Sequence, residues 1–259
     1  MKNIIYWFSG TGNSFHVAKR IATEIDADLR PLSLFTAKEL EKGQNVGIVC
    51  PVYAFGIPRM VMEALRNVPD DLGEYVFAVF TYTRQPGYAG YLLEKAIAKN
   101  NNYRSACYGL MMPPNYPPFG GAPDVDEQRK FFDSAEPQID EIITQIQTKQ
   151  TGHFEKNNPI LRIMGRLLFP MFLKSLKKSD EKFFADEKCT SCGICERVCP
   201  AGNITLNGKP SWSGNCEQCF ACFNWCPENA IQYGNKTTKQ IRYHHPNVKL
   251  PEILKQTGK

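Results

Sequence analysis

Two runs of cysteines near the C-terminus have a spacing that suits metal–sulfur chemistry. Each run follows the pattern C-x-x-C-x-x-C-x-x-x-C-P, and the second run repeats the first 27 residues later. The cysteines are Cys189, Cys192, Cys195 and Cys199 in the first run, and Cys216, Cys219, Cys222 and Cys226 in the second. An iron–sulfur cluster needs four thiolates, and short loops bring three of them together from one tight turn. The repeat therefore predicts two clusters held by two similar halves.

Two other uses of these cysteines fit less well. Zinc motifs pair C-x-x-C units across a longer loop and do not require a third cysteine three residues on. A disulfide framework is typical of secreted chains, whereas the N-terminal MKNIIYWFSG predicts a first strand and no secretion signal. We therefore expect metal ligation in a cytoplasmic protein.

The cysteine-rich segment resembles the bacterial two-cluster ferredoxins, in which the fourth cysteine of each run binds the other cluster. The resemblance implies one 4Fe–4S cluster on Cys189, Cys192, Cys195 and Cys226. It implies a second 4Fe–4S cluster on Cys216, Cys219, Cys222 and Cys199.

A second candidate site follows the first predicted strand, where residues 9–14 read S-G-T-G-N-S and precede a helical pattern. Backbone N–H groups at a helix N-terminus, together with hydroxyl and amide side chains, can hold a phosphate dianion without a cation. A Walker A loop would need a Lys, and the dinucleotide fingerprint would need a third glycine where Phe15 stands. A hydroxyl-rich helix cap is the simpler alternative. The stretch resembles the phosphate loop of flavodoxins, which implies bound FMN.

Two more loops, at residues 51–58 and 81–88, each follow a predicted strand. Ligands of doubly wound sheets lie outside the carboxyl ends of the strands, so we expect these loops to wall a flavin ring. Tyr53 or Phe55 would stack on the ring, although ordinary packing explains each aromatic residue taken alone. The predicted cofactor-binding residues are Ser9, Thr11, Gly12, Asn13, Ser14, Pro51, Val52, Tyr53, Ala54, Phe55, Gly56, Thr81, Tyr82, Thr83 and Gly87.

The elements that carry these loops alternate between strands and helices. Apolar runs at residues 4–8, 46–52, 75–81 and 103–112 predict buried strands, with a weaker one at residues 28–34. The fold class is thus α/β, a flavodoxin-like doubly wound five-stranded parallel sheet over residues 1–150. Residues 186–235 predict a small α+β ferredoxin-like domain, and residues 236–259 a C-terminal tail.

Residues 151–185 predict a helical connector with an apolar stripe and basic residues set among it. The stripe contains Ile160, Ile163, Met164, Leu167, Leu168, Met171 and Phe172. A helix that packs the two domains together explains the stripe, and association with a membrane surface or a partner is the alternative. Pro170 should kink or end this helix.

The loops and the cysteine motif together resemble a family of bacterial and archaeal flavodoxin–ferredoxin fusions. The resemblance implies FMN and two 4Fe–4S clusters in a protein that passes low-potential electrons between external redox partners, such as a ferredoxin or an oxidoreductase. An FMN-dependent reductase of a quinone or nitro compound is the alternative, and a subunit docked to a larger redox complex is a third. No catalytic residue is predicted, because no acid–base pair accompanies the loops.

Composition bears on the partners. Hydrophobic residues make up 42% of the chain and charged residues 22%, as in globular proteins. The formal net charge of +5 does not indicate a nucleic-acid partner, because two clusters would remove roughly four charges and an FMN phosphate about two. No stretch is apolar for long enough to predict a transmembrane segment. A homodimer remains open.

Overall fold

A six-stranded parallel sheet forms the N-terminal part of the protein in a computed structural model that describes residues 3–41, 43–69, 75–97, 104–154 and 158–257. The strands are β1 (Asn3–Trp7), β2 (Ala27–Pro31), β3 (Val46–Pro51), β4 (Tyr75–Tyr82), β5 (Arg104–Met111) and β6 (Gly152–His153). Their order in the sheet is β2-β1-β3-β4-β5-β6. The first five strands in this order are those of the flavodoxin-like doubly wound sheet. The five predicted strands are confirmed, and β6 adds a short sixth at the edge.

Helices cover both faces of the sheet. They are α1 (Asn13–Glu24), α2 (Arg59–Arg66), α3 (Ala89–Ile97) and α4 (Val125–Gln147). Along β1, Ile5 and Trp7 pack into the core on the side of α1 and α4, whereas Ile4 and Tyr6 pack on the side of α2 and α3. Both sets are buried because a parallel sheet between two helix layers has no solvent face.

Most strand boundaries differ from the predicted ones by no more than one residue, and the largest difference is in the second strand. The second strand ends at Pro31, because Leu32–Leu34 turns into a 3-10 helix, so the expected extension to residue 34 is wrong. The last strand was expected to begin at residue 103, which lies outside the described residues; β5 is described from Arg104.

The predicted connector contains the helix α5 (Pro159–Leu176), and Pro170 lies inside it. The helix continues to Leu176, so it does not end at Pro170, which was one of the two effects expected of this proline. Proline at this position deprives the carbonyl of Arg166 of its helical partner, and because Arg166 is exposed, water can reach that carbonyl. Within the described residues, no helix is long and apolar enough to cross a bilayer.

The cysteine-rich segment repeats one short unit. Its elements are β7 (Phe183–Ala185), α6 (Ile194–Arg197), β8 (Ile204–Asn207), β9 (Lys209–Trp212), α7 (Ala221–Asn224) and β10 (Ile231–Tyr233). Strand β7 pairs antiparallel with β10, and β8 pairs antiparallel with β9. Each of the helices α6 and α7 contains the third cysteine of its run, Cys195 or Cys222. The sequence repeat is therefore also a structural one.

The C-terminal tail is an integral part of the fold. It ends in α8 (Leu250–Leu254), and its Val248 and Ile253 are buried in the same core as α1 and α4. The His245 backbone N–H donates to the Thr11 carbonyl at 2.9 Å, and the His245 ring stacks on His16 at 4.1 Å. The tail thus lies directly over the loop that follows β1.

This burial predicts a pH dependence of stability. Burial, His16 and His244 together lower the pKa of His245 to about 3. In the unfolded chain the pKa of histidine is about 6.5, so the unfolded state binds more protons between these values and stability falls as pH drops below about 6.5. For this one group, we expect a loss of about 2 kcal/mol between pH 7 and pH 5.

Unfolding of wild type and His245→Phe at both pH values measures this contribution. The variant should lose less stability on acidification than wild type. His244→Phe, which removes an exposed neighbouring imidazole, should keep most of the wild-type pH dependence. An identical pH dependence in wild type and His245→Phe would contradict the expectation.

Candidate functional site

A cleft of about 760 Å³ opens at the carboxyl ends of the sheet strands. This volume is in the range of small-molecule and cofactor sites. The predicted cofactor residues that line it are Ser9, Thr11, Asn13, Ser14, Pro51, Val52, Tyr53, Ala54, Phe55, Thr81, Tyr82 and Thr83. The loops after β1, β3 and β4 therefore converge on one cavity, and residues 112–116 after β5 add a further wall.

The three glycines among the predicted cofactor residues, Gly12, Gly56 and Gly87, do not line the cleft. A Cβ atom at Gly12 would contact His245 and Val248 of the tail, and a Cβ at Gly56 would come within 2.4 Å of the Phe169 ring of α5. Gly87 has a φ of +61° and passes so close to Phe55 that a Cβ would lie 2.5 Å from that side chain. These glycines allow neighbouring segments to approach closely, which positions the lining residues.

The helix α1 begins at the cleft, which Asn13 and Ser14 line, and its N-cap residue Gly12 provides no side-chain cap. Ser14 Oγ lies 2.7 Å from Thr81 Oγ1, and the Asn115 amide donates to Thr11 Oγ1 at 2.8 Å. The Tyr243 hydroxyl donates to Asn13 Oδ1 at 2.6 Å, which leaves the Asn13 amide hydrogens free to donate elsewhere. Among the residues that the structure describes, no acidic side chain lines the cleft. Hydroxyls and a helix N-terminus fit a phosphate group.

A strained turn forms the aromatic side of the cleft. Tyr53 and Gly56 exchange backbone hydrogen bonds of 2.8 and 2.9 Å, and between them Ala54 and Phe55 have φ values of 47° and 68°. Two consecutive positive φ values are usual for Gly or Asn, and non-glycine residues hold them at a cost of about 1–3 kcal/mol each. Such strain is typical of ligand-binding loops. It presents Tyr53 and Phe55 to the cavity, as a flavin ring would need.

The cysteine-rich segment supplies a wall of the cleft that the sequence did not predict. Gln218, Cys219 and Phe220 line it, as does Phe172 of α5. A Cβ atom at Gly10 would lie 2.0 Å from the Cys219 carbonyl oxygen, so only glycine permits this approach. The Trp225 indole N–H also donates to the Gly10 carbonyl at 3.0 Å. These contacts join residues more than 200 positions apart, and no local pattern could have indicated them.

The eight cysteines of the two runs fall into two groups. Cys189, Cys192, Cys195 and Cys226 line one small cavity. Cys199, Cys216, Cys219 and Cys222 form the second group, since, in addition to burial, Cys199 and Cys216 both contribute to raising the pKa of Cys219 and of Cys222. The apolar cluster around Phe183 and Phe223 contains cysteines of both groups. Within the described residues, no three His, Cys, Asp or Glu side chains converge as they would around a single metal ion.

The chemistry of these thiols suits a cluster ligand. Burial raises the pKa of Cys195 and of Cys216 to about 11, and it also raises the pKa of Cys219 and Cys222 well above the ordinary value of a thiol. The neutral thiol is therefore favoured in the protein alone, and bound iron would supply the positive charge that stabilises the thiolate. Backbone N–H groups also donate to the sulfurs of Cys199, Cys216 and Cys226 at 3.2–3.3 Å. Such bonds tune the potential of a cluster.

A buried ion pair holds the second cysteine run against the flavodoxin-like part. Arg59, at the start of α2, donates from Nε to Glu217 Oε1 at 2.8 Å and from its backbone N–H to Oε2 at 3.1 Å. Burial raises the pKa of Glu217, and Arg59 opposes that shift. Since Glu217 lies between Cys216 and Cys219, this pair ties the cysteines to the loop that carries Tyr53.

The remaining cysteines, Cys50 in β3 and Cys107 in β5, are both fully enclosed in the sheet. Burial strongly raises the pKa of Cys50, so its thiol stays protonated. Neither lines the cleft, and packing accounts for both.

Comparison with known proteins identifies the cysteine-rich segment in part. Residues 184–205 match the family described as 4Fe-4S binding domain, which confirms the iron–sulfur interpretation for this stretch. No curated protein matches the chain significantly.

Among solved structures, the chain is similar to a Fusobacterium nucleatum flavodoxin bound to flavin mononucleotide, with 17% identity, 57% of this chain and 99% of that chain covered, and a TM-score of 0.38. It is also similar to a flavodoxin from the domain Archaea, with 15% identity, 56% and 99% coverage, and a TM-score of 0.35. The strand order and the family match together show a flavodoxin-like α/β domain joined to a 4Fe–4S binding segment.

Proposed function

We propose that this protein transfers low-potential electrons between external redox partners, with FMN in the cleft and two 4Fe–4S clusters on the eight cysteines. FMN exchanges one or two electrons and each cluster exchanges one, so the pair can connect one-electron and two-electron partners. The observation that carries the proposal is that Cys219 belongs to the second cysteine run and also lines the cleft. The reducing conditions that free thiols need favour a cytoplasmic location.

The residues of the cleft would hold FMN by its two ends. Ser9, Thr11, Ser14 and the N-terminus of α1 would bind the phosphate, since they offer donors and no negative charge. Tyr53 and Phe55 would pack on the ring and exclude water from one side.

The two groups of cysteines would hold the two clusters in crossed sets. Cys226, which lines the small cavity with the first three cysteines, supports this choice, since Cys199 of their own run does not line it. Cys192 is exposed, so this group would be the one accessible to an external protein such as a ferredoxin. Cys222 and Cys219 lie deeper, toward the cleft.

A reductase of a small quinone or nitro compound is the second candidate, and Arg84 favours it. Arg84 lines the cleft and is the one cationic side chain among its described lining residues, so it could neutralise charge that develops on a substrate. We favour the carrier, because within the described part of the chain no carboxylate or histidine lines the cleft to supply protons. Saturable turnover of such compounds distinguishes the two functions.

The crossed ligand sets predict the effect of Cys199→Ser. We expect wild type to contain about eight iron atoms and eight acid-labile sulfides per chain, and the variant to lose about half. Because Cys199 would complete the set of Cys216, the electron paramagnetic resonance spectrum of reduced Cys199→Ser should match that of Cys216→Ser and differ from that of Cys192→Ser.

Cys107→Ser, which removes a buried cysteine outside the runs, is the control and should retain all the iron. A Cys199→Ser spectrum that matches Cys192→Ser would show that each run binds its own cluster.

The phosphate assignment predicts the effect of Thr11→Asp. Thr11 is buried in the phosphate loop, so a carboxylate there should repel the dianion and weaken FMN binding on the order of 100-fold or more. Fluorescence titration of the flavin-free protein with FMN measures this affinity. Thr11→Ser keeps the hydroxyl that accepts from Asn115 and should bind FMN nearly as wild type does. Release of FAD from the purified protein would refute the assignment.

A further inference from the structure

Helix α5 leaves an apolar face uncovered. Its opposite face packs on the protein through Gly165, Phe169 and Leu176, which are buried. The uncovered face, which we call the outer face, consists of Ile160, Ile163, Met164, Leu167, Leu168 and Met171, and all six are exposed. Ile160, Ile163 and Leu167 have 64–68% of their surface exposed. At about 100° per residue, these six positions cover an arc of roughly 140°. Contiguous apolar surface of this kind marks an interaction site.

The charged residues of α5 and of the three positions after it all have one sign. At about 100° per residue, Lys174 lies on the outer face, Arg166 lies about 60° from its edge, and Lys177 and Lys178 follow the end of the helix. Arg162 lies on the opposite side of the helix, where its guanidinium is over the ring of half-exposed Tyr91, 6.0 Å from the ring centre. From Pro159 to Ser179 the chain contains no Asp or Glu. Long cationic side chains beside an apolar face are typical of helices that lie in a membrane interface.

We propose that α5 binds the surface of an anionic lipid bilayer, lying in the plane of the membrane with its outer face among the acyl chains. The apolar side chains would enter about 5–10 Å below the headgroups. Arg166, Lys174, Lys177 and Lys178 would contact the anionic headgroups, each adding to the affinity. This is a surface attachment, since within the described residues no helix can span a bilayer.

Charge favours lipid over a second copy of the chain. A twofold contact between two outer faces would set the same four cations, Arg166, Lys174, Lys177 and Lys178, against themselves, and residues 159–179 contain no Asp or Glu that could neutralise them. An anionic bilayer satisfies both the apolar arc and the cations. Phe172 of the same helix lines the cleft, so the attached membrane would lie about one helix diameter, roughly 10 Å, from the proposed cofactor site.

Vesicle co-sedimentation of the anaerobically purified holoprotein tests the proposal. We expect binding to vesicles of phosphatidylcholine with 30% phosphatidylglycerol (about one lipid in three anionic) and little binding to phosphatidylcholine alone. The variant Ile163→Glu/Leu167→Glu should bind the anionic vesicles at least about 10-fold more weakly, because carboxylates would enter the acyl region. The variant Lys174→Gln/Lys177→Gln/Lys178→Gln should lose on the order of 100-fold, since it removes three cations.

The matched control is Val125→Glu/Ile241→Glu, which changes two equally exposed apolar residues away from α5 and should bind as wild type does. Cofactor content and circular dichroism verify that each variant is folded, and the binding itself does not depend on electron transfer. Absence of binding to anionic vesicles would overturn the proposal, as would equal losses in the control. A dimer in light scattering that Ile163→Glu/Leu167→Glu dissociates would overturn it in favour of self-association.

Discussion

The close approach of Gly10 to Cys219 is the contact on which the rest of the site depends. A side chain at Gly10 would collide with the Cys219 carbonyl, and the Trp225 indole binds the carbonyl of the same glycine. The loop at the N-terminus of α1 and the second cysteine run therefore form one wall. Because of this contact, the second cysteine run lies directly beside the cleft. The cleft and the cysteines therefore form one site for electron transfer instead of two separate ones.

The C-terminal tail and one ion pair stabilise this arrangement. Gln256 accepts from the Ser9 backbone N–H and donates to the Val198 carbonyl, so one buried side chain joins the loop after β1 to the first cysteine run. Arg59 and Glu217 make the corresponding link to the second run. The cysteine-rich segment is too short to bury a large core of its own, and docking together with bound clusters would supply the missing stability.

Local patterns allowed much of this to be predicted. Apolar periodicity located the strands, and the cysteine spacing located the iron–sulfur segment. Both could be recognised because each pattern is formed by residues that are close together in the sequence. The lining of the cleft by Phe172 and Cys219, the roles of Gly12 and Gly56, and the burial of His245 could not be predicted, because each depends on a contact with a distant segment. The helix α5 does not end at Pro170, because a helix with one side exposed to solvent tolerates the hydrogen bond that proline removes.

The most direct test is to measure the rate of electron transfer between the clusters and FMN in Gly10→Ala. The clusters are reduced rapidly under anaerobic conditions, and stopped-flow absorbance then follows the transfer. A methyl group at this position must push the loop away from Cys219. The account predicts a slower transfer than in wild type while iron and flavin contents stay the same. An unchanged rate in a variant that retains both cofactors would show that the contact between Gly10 and Cys219 does not govern the path.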